Sequence, residues 1–268
     1  MRVVGLNAWG GRLAEALLPW LAEVDPDVLC LQEVTRAVEP HPGPLWFTDG
    51  AEPLLQRPDL FADVAAVLPG HDATFCPAMR GALRDEDGRP VPSAFGIATF
   101  VRRTVPVLGQ VQGFVHGDFR ADGWGPPPVP RCLHGVRLPG LRVAHLHGLR
   151  DPAGKHDTPA RAAQAERIVA LLGALGPAED PLVLTGDLNL LPESATFARL
   201  AALGLRDLVG RADTRTSRYP KTPRSADYLL VTPGVPVARF EVVASPEVSD
   251  HRALRLELSP PRARPGGR

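Results

Sequence analysis

"LVLTGDLNLLP" (residues 182–192) is an apolar run that ends in a glycine, an aspartate, an asparagine two positions on, and a proline stop. Side chains two apart on an extended chain share a face, so Asp187 and Asn189 are expected to point the same way at the end of a buried strand. Burying a carboxylate or a carboxamide without a partner is costly, so something polar should wait opposite them. Taken alone, the stretch is equally an ordinary strand followed by a turn. What decides the reading is that other segments repeat the pattern.

"RVVGLNAWG" (2–10) reads as a strand ending at Asn7 before a glycine turn, and "DVLCLQEV" (27–34) as a strand with Glu33 near its end. Between them, residues 11–27 carry leucines at helical spacing, interrupted by Pro19. Residues 35–50 are expected to form a loop, and residues 59–68 a helix after Pro58. "HDATFCPAM" (71–79) and "SAFGIATFVRR" (93–103) read as strands joined by a polar loop over 80–92, and 107–119 as another strand. "RCLHGVRLPGLRVAHLHG" (131–148) is a hairpin through Pro139-Gly140, with His145 and His147 on one face. The cleanest helix covers 157–176, capped by Asp157 or Thr158 with Pro159 at its first position. A helix capped by Ser194 and strands at 226–232, 238–245 and 252–258 follow. Asp227 opens the first of these strands and Asp250-His251 precede the last.

Strands dominate and the strand–helix alternation is not sustained, so two sheets packed face to face with helices outside fit better than a doubly wound parallel sheet. One domain is expected over 1–258, with a disordered tail at 259–268. The 30 basic and 30 acidic residues balance, which argues against a generic nucleic-acid binder. No leader-like segment and no apolar run of about 18 residues is present. Cys30, Cys76 and Cys132 are scattered without metal-type spacing, as expected of reduced thiols in a cytoplasmic protein; a monomer that does not enter the membrane is expected. Acids, amides and histidines at strand ends, with no lysine near them in sequence, suit a hydrated divalent cation that prefers oxygen ligands.

"LNAWG", "LCLQEV", "LTGDLN", "SADYLLV" and "VSDHRALRLEL", in that order along nearly the whole chain, resemble the endonuclease/exonuclease/phosphatase superfamily, the DNase I-like metal-dependent phosphoesterases. The resemblance implies an α+β fold, a four-layer α/β/β/α sandwich of two mainly antiparallel sheets with helices outside. It also implies hydrolysis of a phosphodiester or phosphomonoester, by single-step attack of an aligned water and with Mg²⁺ or Mn²⁺. Glu33 would be the principal metal ligand, with Asn7 and Asp250 contributing. Asp187 would orient or deprotonate the water, Asn189 would hold phosphate or water, and His251, oriented by Asp227, would donate to a phosphate oxygen. His147 is preferred as the phosphate-clamping histidine because "HGLRDPAGKHDTPARAAQ" (147–164) resembles a histidine–glycine segment followed by an Arg and a Gln on a helix in a microbial branch. His145 is the alternative, taken with Arg218 and Tyr219 as substrate-binding. Two departures stand out: Trp9 replaces an Asp found in some relatives, and Ile97 a polar residue found in many.

The substrate stays open between a small phosphate ester and DNA or RNA. A nuclease needs cations along a groove. Candidates are Arg80, Arg84, Arg89, Arg102, Arg103 and the segment "RADTRTSRYPKTPR" (211–224), which serves equally as a solvated loop. A binding protein that kept the fold and lost the chemistry is the remote alternative, disfavoured because Glu33, Asp187 and His251 are all present.

Overall fold

The computed structural model describes residues 1–48 and 52–259. In chain order the elements are β1 (Arg2–Asn7), a 3-10 turn (Trp9–Gly11), α1 (Ala14–Val24), β2 (Val28–Ala37), β3 (Leu45–Phe47), β4 (Leu54–Gln56), α2 (Leu60–Val67), β5 (His71–Arg84) and β6 (Pro90–Arg102). Then come β7 (Gly109–His116), β8 (Arg131–Leu138), β9 (Leu141–His147), α3 (Pro159–Ala174), β10 (Leu182–Asp187), α4 (Ala195–Ala201), β11 (Arg206–Asp207), β12 (Asp227–Val231), β13 (Val237–Val242) and β14 (Leu254–Leu258).

Two sheets form, ordered β13-β14-β1-β2-β6-β5-β3-β4 and β11-β12-β10-β9-β8-β7. Each is antiparallel apart from one central parallel pair, β1 with β2 and β9 with β10. Period-2 alternation sorts the first sheet's residues between two cores. Val4, Leu6, Leu29, Leu31 and Phe100 pack against Leu17, Trp20 and Leu21 of α1 and Leu60 and Val64 of α2. On the opposite face, Val3, Val28 and Cys30 share a core with the second sheet, which Ile168 and Leu172 of α3 also join. The result is the expected four-layer sandwich.

Parallel strands end on the same side, and antiparallel neighbours begin there. The ends of β1 and β10 therefore meet the starts of β14 and β12 at one rim. Asp187 lies opposite His147 on one side and Asp227 on the other, so three polar residues form a single row. The two sheets touch closely beneath this row: a β-carbon built on Gly5 would lie 2.4 Å from the Thr185 hydroxyl. One strand residue before Asp187, Gly186 has φ +139° and sits against the Leu146 carbonyl, which leaves no room for a side chain.

Several sequence expectations change. Residues 80–92 are mostly strand, because β5 and β6 run on as a hairpin whose turn spans only 85–89. Pro90 and Pro92 are tolerated there because the β2–β6 ladder ends at Ala37, opposite Ser93, and beyond it only the Val38 N–H reaches across, to the Pro92 carbonyl (3.1 Å). The supposed loop at 35–50 contains the end of β2 and all of β3, while residues 49–51 lie outside the described residues. Helix α1 continues through Pro19. Thr158 alone caps α3, whereas Asp157 accepts from Ser194 Oγ (2.6 Å) and the Ala195 N–H (3.0 Å) at the start of α4. The expected tail lies, beyond Ser259, outside the described residues.

Gly5→Ala is expected to cost about 1–3 kcal/mol by overpacking the inter-sheet contact. Thr185 Oγ1 is buried with no hydrogen-bond partner, so adding Thr185→Ala should recover most of that loss. Urea denaturation of the two single variants and the double variant measures the coupling.

Candidate active site

Asn7, at the end of β1, stands at the junction of the sheets. Its Nδ2 donates to Glu33 Oε1 (3.1 Å) and Asp187 Oδ2 (3.0 Å), while its Oδ1 accepts from the Trp9 backbone N–H (3.0 Å). The amide oxygen thus accepts one hydrogen bond from the turn, and the amide nitrogen holds two carboxylates together. Trp9, where some relatives carry an Asp, thereby fixes the rotamer of Asn7.

Glu33 reaches the rim through a bulge. The β2–β6 register shifts between Leu31 and Val34, and Glu33 itself has φ +55°, a conformation that costs a non-glycine residue energy. Burial and the neighbouring Asp250 carboxylate push its acid group up from the ordinary value, with Asp187 adding to the effect.

Asp187 is the hub. Its Oδ2 lies 3.7 Å from Nε2 of both His147 and His251. Burial would raise its pKa, but His251, His147, Arg215 and Lys155 hold it well below the usual carboxylate range. Asn189 does not share a strand face with it. Strand β10 ends at Asp187, and Asn189 turns back with φ +55°, its N–H bonded to Asp187 Oδ1 (3.0 Å) and its Nδ2 reaching the Gly148 carbonyl (3.5 Å). That turn fixes the direction of the Asp187 carboxylate.

His251 Nδ1 is 2.8 Å from both oxygens of Asp227. Burial works against its charge, but Asp227 and Asp187 prevail and push its pKa up to about 9. Burial likewise raises Asp227, and the nearby Asp187 carboxylate adds to this. His147 behaves oppositely. Burial, then the Arg131 guanidinium, takes its pKa well below the ordinary value, leaving a neutral imidazole 3.8 Å from Glu33 and 3.7 Å from Asp187. One cationic and one neutral imidazole thus flank one carboxylate.

His145 is corrected. It lies two residues deeper between the sheets, with Nδ1 at 3.0 Å from Gln32 Nε2 and Nε2 at 2.8 Å from Thr99 Oγ1. Both ring nitrogens are occupied, so none is left for a substrate. Ile97 is likewise interior, packed with Cys76, Ala78 and Cys132.

The segment 211–224 is not a solvated loop along its whole length. Thr214 and Thr216 are buried, and their backbones bond to Arg252 and Asp250. Arg224 clamps the carbonyls of Arg215 (2.9 Å) and Thr216 (3.1 Å). This threads Arg215 into the site, where it donates to Asp250 Oδ2 (3.1 Å), abuts His251 Nε2 and covers the Tyr219 ring at 4.1 Å. Tyr219 therefore supports Arg215, and Arg218 stands outside, exposed and 3.8 Å from Glu247. Arg215 therefore belongs to the site rather than to a groove, and the alternation Thr214-Arg215-Thr216 is the sequence signal for its burial. Lys155 and Arg131 also belong to the site and carry no local sequence signal. Lys155 Nζ bonds the Ser225 carbonyl (2.5 Å) close to Asp187 and Asp227, so the site does contain a lysine. The helix pair found by resemblance holds the connecting loop, with Gln164 accepting from the Leu149 N–H (2.7 Å) and Arg161 donating to the Gly154 carbonyl (2.8 Å).

Two groups present ligand atoms within 4.8 Å of one another, Glu33 with His147 and Asp187, and Asp187 with Asp227 and His251. The first suits a cation: burial and the nearby Asp250 and Asp187 carboxylates make Glu33 costly to ionise, a cost that a bound divalent ion relieves. In the second, Asp227 and His251 already neutralise each other.

Comparison with known proteins agrees with this fold. A mannosyl-6-phosphatase from Bacteroides thetaiotaomicron superposes with a TM-score of 0.62 at 17% identity, over 97% of this chain and 99% of that one. An endonuclease/exonuclease/phosphatase protein from Beutenbergia cavernae gives 0.63 at 23% identity, over 96% and 70%. An AP endonuclease from Archaeoglobus fulgidus gives 0.60 at 17% identity, over 96% and 99%. Among curated proteins, no sequence matches this chain. The sequence profile of the Endonuclease/Exonuclease/phosphatase family matches residues 4–251, and the chain belongs to that family.

Proposed function

We propose that the protein hydrolyses phosphate esters with Mg²⁺ or Mn²⁺ bound at Glu33, Asp187 and His147. The observation that carries this reading is the placement of the Asp187 carboxylate 3.7 Å from two imidazoles, with Arg215 and Lys155 close by. A phosphate ester resists attack because its own charge repels nucleophiles. Glu33, Asp187 and His147 would hold a divalent cation, which would supply positive charge to a phosphate oxygen. Held ionised and aimed by Asn189, Asp187 orients an attacking water and accepts its proton. His251, kept cationic by Asp227, donates to a non-bridging oxygen, and Arg215 adds a second cationic donor. Asn7 keeps Glu33 and Asp187 in register across the two sheets.

A nuclease is the second reading. It is favoured by the exposed Arg211, Arg218 and Lys221 on the same segment as Arg215 and by the similarity to an AP endonuclease. The cytoplasmic assignment rests on Cys30, Cys76 and Cys132, all buried and unpaired; among the described residues, no helix is long and apolar enough to cross a membrane.

Hydrolysis of bis-p-nitrophenyl phosphate should require Mg²⁺ or Mn²⁺ and stop in EDTA; undiminished turnover there contradicts the reading. Glu33→Gln and Asp187→Asn should each lower kcat/KM by about 10²–10⁴-fold, and a Glu33→Gln enzyme as active as the native one would leave a binding protein as the better account. Plasmid nicking that weakens steeply with salt identifies the nuclease.

Stability without metal should follow the charge of His251. Because the folded pKa of His251 is raised to about 9, its stabilising charge is fully present below the unfolded value of about 6.5 and is lost as pH rises through about 9. The Tm of metal-free protein should fall between pH 7 and 10, and His251→Asn should flatten that fall.

A further inference from the structure

A cavity of about 1010 Å³ opens beside the rim, walled by the Trp9–Gly11 turn, the outer part of β2 and the β5–β6 hairpin. Arg12, Arg36, Arg57 and Arg80 line it. Arg57 is engaged by Asp63 (2.6 Å) and Glu15 (3.9 Å). Asp59, also on the wall, is committed to capping α2 at the Ala62 N–H (2.9 Å). The other three arginines form no direct ion pair among the described residues, although the Asp59 carboxylate lies near Arg36. Each instead lies over an aromatic ring: Arg12 over Trp9 at 4.2 Å, Arg36 over Phe61 at 4.9 Å and Arg80 over Phe119 at 5.9 Å.

This is a favourable way to present a guanidinium to an anion. The ring holds the flat face of the arginine, and the N–H edge stays free for bidentate donation to phosphate oxygens. Register sets the spacing. Arg36 pairs with Ala94, and Ala94 with Arg80, so the three occupy one row across β2, β6 and β5. With strands about 4.8 Å apart, the two arginines stand about 10 Å from each other, and the small Ala94 leaves the space between them empty.

The cavity is also tied to the rim by two short stretches of chain. Arg12 follows Asn7 on the turn that fixes the Asn7 rotamer, and Arg36 lies three residues beyond Glu33 on β2, about 10 Å along the strand. A volume near the top of the range for small-molecule sites exceeds what one phosphate fills.

We propose that this cavity is a second phosphate-binding subsite, and that the substrate carries at least one phosphate besides the one hydrolysed. The inference rests on the phosphoesterase reading for the identity of the occupant. A flanking nucleotide phosphate and the second phosphate of a small bisphosphate offer the same chemistry, and the test separates them.

Two probes, a single-stranded tetranucleotide and fructose 1,6-bisphosphate, are titrated calorimetrically in EDTA into the native protein and the R12Q/R36Q/R80Q variant. In EDTA no divalent ion bridges a probe phosphate to the acidic cluster, so the comparison with the triple variant isolates the cavity's share of binding. Native protein should bind one of the probes, and the triple variant should bind it at least about tenfold more weakly. If that probe is the tetranucleotide, the salt slope should shrink by about 0.7 for each lost contact. R12K/R36K/R80K should recover part of the affinity. Hydrolysis of bis-p-nitrophenyl phosphate, which has one phosphate, should stay within about twofold of native and report that the variant is folded. Binding of the tetranucleotide alone identifies a strand, and binding of the bisphosphate alone a small substrate. Equal affinity of native and triple variant for both probes, or no binding of either by the native protein, overturns the subsite. Arginine-dependent binding by a native protein that hydrolyses nothing with Mn²⁺ overturns the phosphoesterase reading and leaves the subsite standing.

Discussion

Everything at the rim depends on how closely the two sheets approach at Gly5 and Thr185. Sheets stacked face to face ordinarily stand about 10 Å apart, with side chains from both filling the gap. Here the missing side chain on β1 lets it settle onto β10. Two residues further along each strand, Asn7 and Asp187 then come within hydrogen-bond distance, although they are 180 positions apart in sequence. An ordinary pair of facing residues at Gly5 and Thr185 would separate Glu33 from Asp187 and leave two half-sites.

The local backbone does the rest of the positioning. Three residues at the rim, Trp9, Glu33 and Asn189, adopt left-handed conformations that other residue types avoid. Each changes where a functional group points. Trp9 turns the chain so that its N–H fixes the Asn7 rotamer, Glu33 leaves the strand plane, and Asn189 curls back to hold Asp187. Electrostatics then sorts the titrating groups. Asp187 and Asp227 are both buried, but only Asp187 faces four cationic or imidazole groups. It stays ionised easily, while Asp227 is committed to His251.

Much of this was legible in the sequence. Strand ends marked by Asn7, Glu33, His147, Asp187, Asp227 and His251 stood out because polar groups are rare where apolar runs finish, and the structure brings all six to one rim. Rules of period two failed where the backbone leaves the strand, at Asn189, and where depth matters, at His145, since two residues on one face can differ by about 7 Å in position along the strand. Arg215, Lys155 and Arg131 were obscure because their roles come from long-range threading. Residues 80–92 looked like a loop because charge and proline suggest one, yet an open-sided hairpin accommodates both.

The pairing of the first strand with the last has a consequence for timing. β1 lies between β2 and β14, and Ser249 Oγ donates to the Asn7 carbonyl (2.6 Å). During synthesis, a chain that has reached Asp227 possesses Glu33, His147 and Asp187 but still lacks His251 and the strand that closes the first sheet. The rim stays incomplete until the stretch through β14 has left the ribosome. The rim thus assembles late and all at once, and a nascent or prematurely terminated chain carries only part of it.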